Sequence, residues 1–439
     1  MEIKPAPECT ICEPYLAPFT IGLRRILLCC RAGIEATVNV AWHSQPQKAK
    51  AMPAARDIRL DFFRGLALWF IFLDHIPGNI ASWLTVRNYG FSDATEIFVF
   101  ISGYTAALVY SDAMRTNGLI QSGARIIKRA WQIYVAHIFS FAIYAAIIGY
   151  IAGTASNPSF VDDFGLTDFF RQPDVIFPQV LLLRFKPVNM DVLPMYVVVL
   201  VAFPPLLWAL VRKPVVALAC SSALYVLARS NGWNFVSYTG DAWVFNPLAW
   251  QLLFVFGAWC ALGGTRLLAG LIRSRAVTIA AVGYLAVAFA IVMTWHMPAL
   301  GEVVPTWLSQ AIYPIDKPNL DVLRIAHFLA LTVLTVRLLG HDSPVLTSPL
   351  LRPVVRCGMH SLEVFCAGVL TSFVAHAALV QTSAGTAAQV MVSAAGISLL
   401  VAIAELIGWY RSIAEKKRAP GSSGKKGLAQ PVQMVPAIV

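Results

Sequence analysis

The sequence predicts an all-α, polytopic integral membrane protein of about ten transmembrane helices, and three observations predict it. Of its 439 residues, 58% are hydrophobic and only 13% are charged, where soluble domains carry roughly a quarter charged residues. Apolar stretches close to the ~20 residues that a bilayer core requires recur from residue 62 to residue 410 between short polar breaks. Those stretches are continuous rather than alternating. Because lipid offers backbone N–H and C=O groups no partner, helices are the form that such runs take, not a barrel.

Residues 1–55 carry prolines and a short, weakly apolar stretch broken by Arg24, Arg25 and Arg31, with no long apolar run ending in a small-residue cleavage site. They read as a disordered N-terminal extension, neither a signal peptide nor a spanning helix. Met52 stands just before the first strong helix, so the segment upstream of it reads as dispensable to the working protein. Spanning helices are predicted over residues 57–77, 94–112, 131–153, 192–211, 215–230, 248–264, 277–296, 322–339, 361–380 and 389–410. Residues 56–411 thus form one membrane domain. Residues 412–439 read as a basic, disordered tail rich in Gly, Ser and Lys.

Lys and Arg gather in cytoplasmic loops, and an inside N-terminus places Arg115, Arg125, Lys128 and Arg129 in the first of these. Arg212 and Lys213, then Arg266, Arg273 and Arg275, then Arg337, Arg352 and Arg356 follow on the same side, and so does the tail. The alternate loops hold Asp162, Asp163, Asp168, Asp174, Asp241, Glu302 and Asp316. Arg87, Arg171, Arg184, Lys186 and Lys317 are exceptions there. Both termini are expected in the cytoplasm.

The net charge of +11 does not point to nucleic acid, because the basic residues lie in loops and tail rather than among aromatics on one polar face. Cys9 and Cys12 have CxxC spacing but no second pair or nearby histidines to complete a zinc site. No metal site is expected. P-loop, dinucleotide-binding and HExxH patterns are absent, which removes ATPase, dehydrogenase and zinc-protease readings.

Ionisable groups inside a span are costly and mark function by default, and the first helix is dense with them. It carries Asp57, Arg59, Asp61, Arg64, Asp74 and His75. Arg64 and His75 are eleven residues apart, about three turns, so they share a face and lie roughly 16 Å apart along the axis. Asp61 and Arg64 are i,i+3 neighbours able to pair. One face thus runs from a cation in the inner half of the bilayer to a titratable base near its outer surface.

That pattern, within Leu60-Asp61-x-x-Arg64-Gly65-x-Ala67, resembles the signature of membrane acyltransferases that carry an acyl group from a cytoplasmic coenzyme A thioester to an extracytoplasmic sugar. Five further blocks resemble the OpgC family: FSDATEIFVFISGY at 91–104, NMDVLPMY at 189–196, NPLAWQ at 246–251, DKPNL at 316–320 with LRIAHF at 323–328, and GMHSLEVF at 358–365. The resemblance implies a bacterial inner-membrane enzyme that transfers succinyl from succinyl-CoA to a hydroxyl of an osmoregulated periplasmic glucan, with no permanently bound cofactor. The partners implied are acyl-CoA, the glucan or another envelope glycan, and the bilayer.

A sugar hydroxyl needs a positioned base, and imidazole titrates nearest to working pH; His75 takes that role, with Arg64 on its face. Asp74 or Glu96 is expected to orient the ring, as the third member of a triad does. Glu96, near a helix N-terminus, equally reads as an interfacial carboxylate facing water. Asp61, Asn189, Asp191, Gln251, Asp316, Lys317, Asn319 and His327 are expected to meet the acceptor, near the aromatics Trp233, Tyr238, Trp243 and Trp307. On the inner side Arg125, Lys128, Arg129, Arg352 and Arg356 are candidates for the coenzyme A phosphates, whose geometry guanidinium forks match, with His360 and Glu363 beside them. Two other readings stay open: a transporter or flippase for a solute or glycan, since buried charges also mark transport paths, and an acyltransferase acting on another envelope polysaccharide.

Overall fold

The computed structural model describes residues 57–154, 159–301, 305–340, 343–381 and 385–418. The N-terminal extension with Met52, Cys9 and Cys12, Glu302 and the chain after Arg418 lie outside the described residues. Within them the chain is all-α, and the β-structure is a single isolated bridge between Val236 and Ala242.

The first helix, α1 (Ile58–Asp74), starts where the Asp57 carboxylate accepts the backbone N–H of Arg59 and pairs with its guanidinium at 2.7 Å. Two short 3-10 turns, Ile80–Leu84 and Val86–Tyr89, lead to α2 (Ala94–Thr154). An unbroken helix of that length would measure ~90 Å, about three bilayers. Gly118, at φ 76° and ψ −176°, breaks it into two limbs that cover the second and third expected spans. Then come α3 (Val192–Arg212), α4 (Pro214–Ser230) and α5 (Pro247–Trp259), the last continuing through a π-helical turn at Cys260–Gly264 into α6 (Thr265–Arg273). The series closes with α7 (Arg275–His296), α8 (Val322–Leu338), α9 (Arg352–Met359), α10 (Ser361–Gln381) and α11 (Thr386–Arg418). The last helix runs seven residues into the stretch read as disordered tail, because Ile413-Ala414-Glu415-Lys416-Lys417-Arg418 consists largely of good helix formers.

Six of these units are long and apolar enough to cross a bilayer: Ala94–Gly153, Val192–Arg212, Pro247–Arg273, Arg275–His296, Ser361–Val380 and Thr386–Ala414. The count of ten is not reached on length and composition. Three expected spans become α1, α4 and α8 at 17 residues each, ~25 Å against a ~30 Å hydrocarbon core.

Two glycine pairs let backbones meet. A Cβ on Gly65 would lie 1.9 Å from the Val354 carbonyl oxygen, and one on Gly358 1.8 Å from that of Asp61, so α1 and α9 cross in direct contact. Gly103 and Gly257 do the same for α2 and α5, at 1.9 Å from Phe254 O and 2.1 Å from Phe100 O. Lipid tails supply no hydrophobic drive between helices, so close approach of small residues carries the association. Gly65→Ala or Gly103→Ala is expected to cost about 1–3 kcal/mol through overpacking. The thermal midpoint in detergent reads this, with Gly283→Ala, which meets nothing within 4 Å, leaving the midpoint unchanged or raised.

Candidate functional site

The polar residues cluster where the C-terminal end of α1 meets the N-terminal ends of α2, α5 and α8. Asp93 caps α2 by accepting the Thr95 N–H at 2.8 Å, while Glu96 reaches back to accept the Asp93 N–H at 2.9 Å. This reciprocal capping box satisfies two helix-end donors. Both carboxylates also meet cations from a distant part of the chain. Arg324 of α8 donates through Nε to Glu96 at 2.7 Å and through Nη2 to Asp93 at 3.1 Å, and Lys317 Nζ donates to Asp93 at 2.6 Å. Burial alone would raise the Asp93 carboxyl, but Lys317 and then Arg324 outweigh it and hold the group well below the ordinary carboxylate range. Glu96 is 0% exposed, so it is not an interfacial carboxylate facing water.

His75 follows α1 as its C-cap, with its backbone N–H bonded to Ile71 O at 3.0 Å. Its ring is half-buried, and Nδ1 has no hydrogen-bond partner among the described residues. Lys317, Asp93 and Arg87 are its electrostatic neighbours. The expected triad partner is engaged elsewhere in both versions. Glu96 is held by Arg324 and the Asp93 amide, and Asp74 accepts from the Thr85 hydroxyl at 2.8 Å. Arg64 is buried in α1, three turns inward, and donates through Nη2 to Thr105 of α2 at 2.5 Å. Asp61 is buried one turn before it.

Several residues expected to meet the acceptor are bonded into the walls around the cluster. Gln251 accepts from the Ser221 hydroxyl at 2.7 Å and donates to Ser221 O at 2.9 Å, bolting α5 to α4. Asn319 is fixed by Asp316 at 2.8 and 3.0 Å and accepts from Asn246 at 2.8 Å. With Arg229 paired to Asp321 at 3.1 Å, these bonds shape the loop that presents Lys317. His327 packs against Gly90, whose backbone has no room for a Cβ, and its Nδ1 shares a 2.7 Å hydrogen bond with Ser92 Oγ. Asn189 adopts a positive φ of 65° in the turn before α3. Asp191, two residues on, lines a cavity of about 460 Å³ with Lys186, Tyr238 and Trp243.

Towards the opposite ends, Arg356 lies 3.5 Å from Glu405, Arg411 lies 2.5 Å from Glu363, and His360 is buried against Gly408. Arg129 donates to Gln132 at 3.0 Å and has Tyr196, Tyr110, Glu363 and Arg411 as electrostatic neighbours. Tyr196 also feels Arg64, which ties the two guanidiniums to one interior region. Arg125, Lys128 and Arg352 are exposed on their helices and are not drawn into that group.

Sequence reasoning missed Arg324, Asp93 and Arg87 as members of the cluster. Asp93 carried a legible signal, the D-x-x-E capping spacing to Glu96. Arg324 carried one as well, as a charge inside the predicted span 322–339, but its partners, 228 and 231 residues away, could not be named from the sequence. No group of three or more His, Cys, Asp or Glu side chains able to hold a metal occurs among the described residues.

A family model described as OpgC protein matches residues 56–412. No curated protein matches the chain.

Proposed function

Because the chain belongs to the OpgC family, we propose that it is an integral O-acyltransferase that moves a succinyl group from cytoplasmic succinyl-CoA to a hydroxyl of a periplasmic glucan. The observation that carries this reading is the imidazole of His75, whose Nδ1 has no hydrogen-bond partner among the described residues and which has Lys317, Asp93 and Arg87 as electrostatic neighbours. A weak oxygen nucleophile needs such a base within bonding reach.

In the proposed step the sugar hydroxyl oxygen bonds to the thioester carbonyl carbon while the imidazole takes the hydroxyl proton. Negative charge then develops on the carbonyl oxygen, where Lys317 or Arg87 stabilises it. Collapse breaks the carbon–sulfur bond and expels the coenzyme A thiolate, which recovers the proton from the imidazolium, so ester and free thiol are the products.

We place the protein in the bacterial inner membrane with both termini cytoplasmic, and read α1, α4 and α8 as crossing with the longer helices, ten spans in all. The support is one-sidedness. His75 ends α1, Arg229 ends α4, and Asp93, Asp191, Asn246 and Lys317 precede helices that would run the other way. These groups bond or couple to one another at a single end of the bundle. A helix lined by protein on several sides can be shorter than a lipid-bathed one, since the hydrocarbon thickness constrains only its lipid-facing side.

Mass spectrometry of periplasmic oligosaccharides from a strain lacking the gene and from the complemented strain tests the reading. Loss of succinyl esters in the deletion and their return on complementation is the expected result. Unchanged glucans beside an altered envelope polysaccharide would move the acceptor, and unchanged glycans throughout would contradict acyl transfer.

A further inference from the structure

The short helix α6 (Thr265–Arg273) joins α5 to α7. Both α5 and α8 begin at the His75 cluster, and α7 ends beside it, with the His296 ring 4.4 Å from that of Trp83. The C-terminal ends of α5 and α8 and the start of α7 therefore lie together at the opposite end of the bundle, and α6 connects two points at one level. Gly263, at φ 108° and ψ 1°, turns the chain out of the α5 direction. Gly264 seats against Trp259, whose ring a Cβ there would approach to 2.3 Å. From α8, Arg337 holds the far end of α6 by donating to Arg273 O at 2.8 Å and to Ser274 O at 3.4 Å, carbonyls that a helix end leaves open.

At about 100° per residue, Leu267, Leu268, Leu271 and Ile272 share one face of α6, and Arg266 and Arg273 occupy the opposite one. Leu268 and Ile272 are half-buried, whereas Leu267 is 71% and Leu271 57% exposed. Arg266, Arg273, Arg275 and Arg337 are all exposed, and none of them forms an ion pair among the described residues. Their surroundings in the chain supply no acid, since no Asp or Glu stands between Asp241 and Glu302.

An apolar face backed by uncompensated cations, on a helix that runs along the end of the bundle, fits the boundary between acyl chains and headgroups. Guanidinium forks match phosphate geometry. A soluble phosphate would meet the arginines but leave Leu267 and Leu271 in water, so the ligand that satisfies both faces carries phosphate and hydrocarbon together. We infer that α6 is an interfacial helix that binds an anionic phospholipid, with Arg266, Arg273 and Arg275 on headgroup phosphates and Leu267 and Leu271 against the acyl chains. The inference is independent of the acyltransferase reading, because no group of the His75 cluster takes part.

Photocrosslinking of the full chain in phosphatidylcholine nanodiscs tests it, with trace photoactivatable phosphatidylglycerol or photoactivatable phosphatidylcholine and adducts mapped by peptide mass spectrometry. The anionic probe is expected to label residues 265–275 several-fold more than the zwitterionic one, and added salt to shrink the difference. Arg266→Gln/Arg273→Gln should lower the preference by about fivefold for each arginine removed. Its thermal midpoint in pure phosphatidylcholine should stay that of the unaltered protein, because both side chains are exposed and unpaired. Millimolar glycerophosphoglycerol, the same headgroup without acyl chains, and coenzyme A should leave the labelling in place. Equal labelling of α6 by the two probes on the unaltered protein overturns the inference whatever the variant does. A preference retained in a folded double variant, or labelling displaced by either soluble phosphate, overturns it too, the latter by making the site one for a soluble anion.

Discussion

Replacing His75 with alanine is expected to lower acyl transfer by about 10²–10⁴-fold, the range for loss of a positioned general base, while the bundle stays folded. The fold has little stake in the imidazole. The ring is half-buried, and the helix end is closed by the backbone bond from His75 N to Ile71 O at 3.0 Å, which alanine keeps. Thermal unfolding should shift little, and added imidazole should restore part of the rate by filling the space left behind. Unaltered transfer in His75→Ala would place the base elsewhere. Thr85→Val separates a related point, because it removes the donor to Asp74 without touching the imidazole, and its effect on rate should be small.

Arg324→Met is expected to have the largest effect on stability, about 3–5 kcal/mol, the usual cost of removing one partner from a buried ion pair. Glu96 is 0% exposed and bonds to Arg324 at 2.7 Å, so it is the carboxylate left stranded. Asp93 fares better because Lys317 still donates to it at 2.6 Å. The double variant Arg324→Met/Glu96→Met should therefore recover much of the loss, and the non-additivity of the cycle measures the coupling directly. Thermal midpoints of the four proteins in one detergent provide the readout. A single and a double variant equally destabilised would mean that Arg324 acts through packing and not through charge.

The fold class was legible because hydropathy is a local property: every long span corresponds to a run of apolar residues readable in order. The number of crossings was less legible: the division of α2 at Gly118 agrees with two separate apolar runs, but α1, α4 and α8 are only 17 residues each. The length of α1, α4 and α8 also depends on neighbours that sequence windows do not see. Within the site, the spacing of Arg64 and His75 along α1 and the capping spacing of Asp93 and Glu96 were visible in the chain. The ion pairs joining α2 to α8 were not, since residues more than 220 positions apart meet only in three dimensions. Lys317 and Lys186 looked like flaws in the charge bias. In the structure one is neutralised by Asp93 and the other is buried over Trp243. The bonds of Gln251 to Ser221, which tie α5 to α4, were equally invisible in the chain, because the two residues lie 30 positions apart.

In the proposed reaction a donor on one face of the membrane and an acceptor on the other meet at His75. Sided proteoliposomes test it most directly, with [¹⁴C]succinyl-CoA outside, gluco-oligosaccharide sealed inside, and the protein sorted by orientation through protection of its C-terminus. Label is expected to become esterified to the enclosed oligosaccharide only where the C-terminus faces the thioester, and His75→Ala is expected not to transfer it. Labelled ester formed only when donor and acceptor share one compartment, or formed equally by His75→Ala, would contradict it.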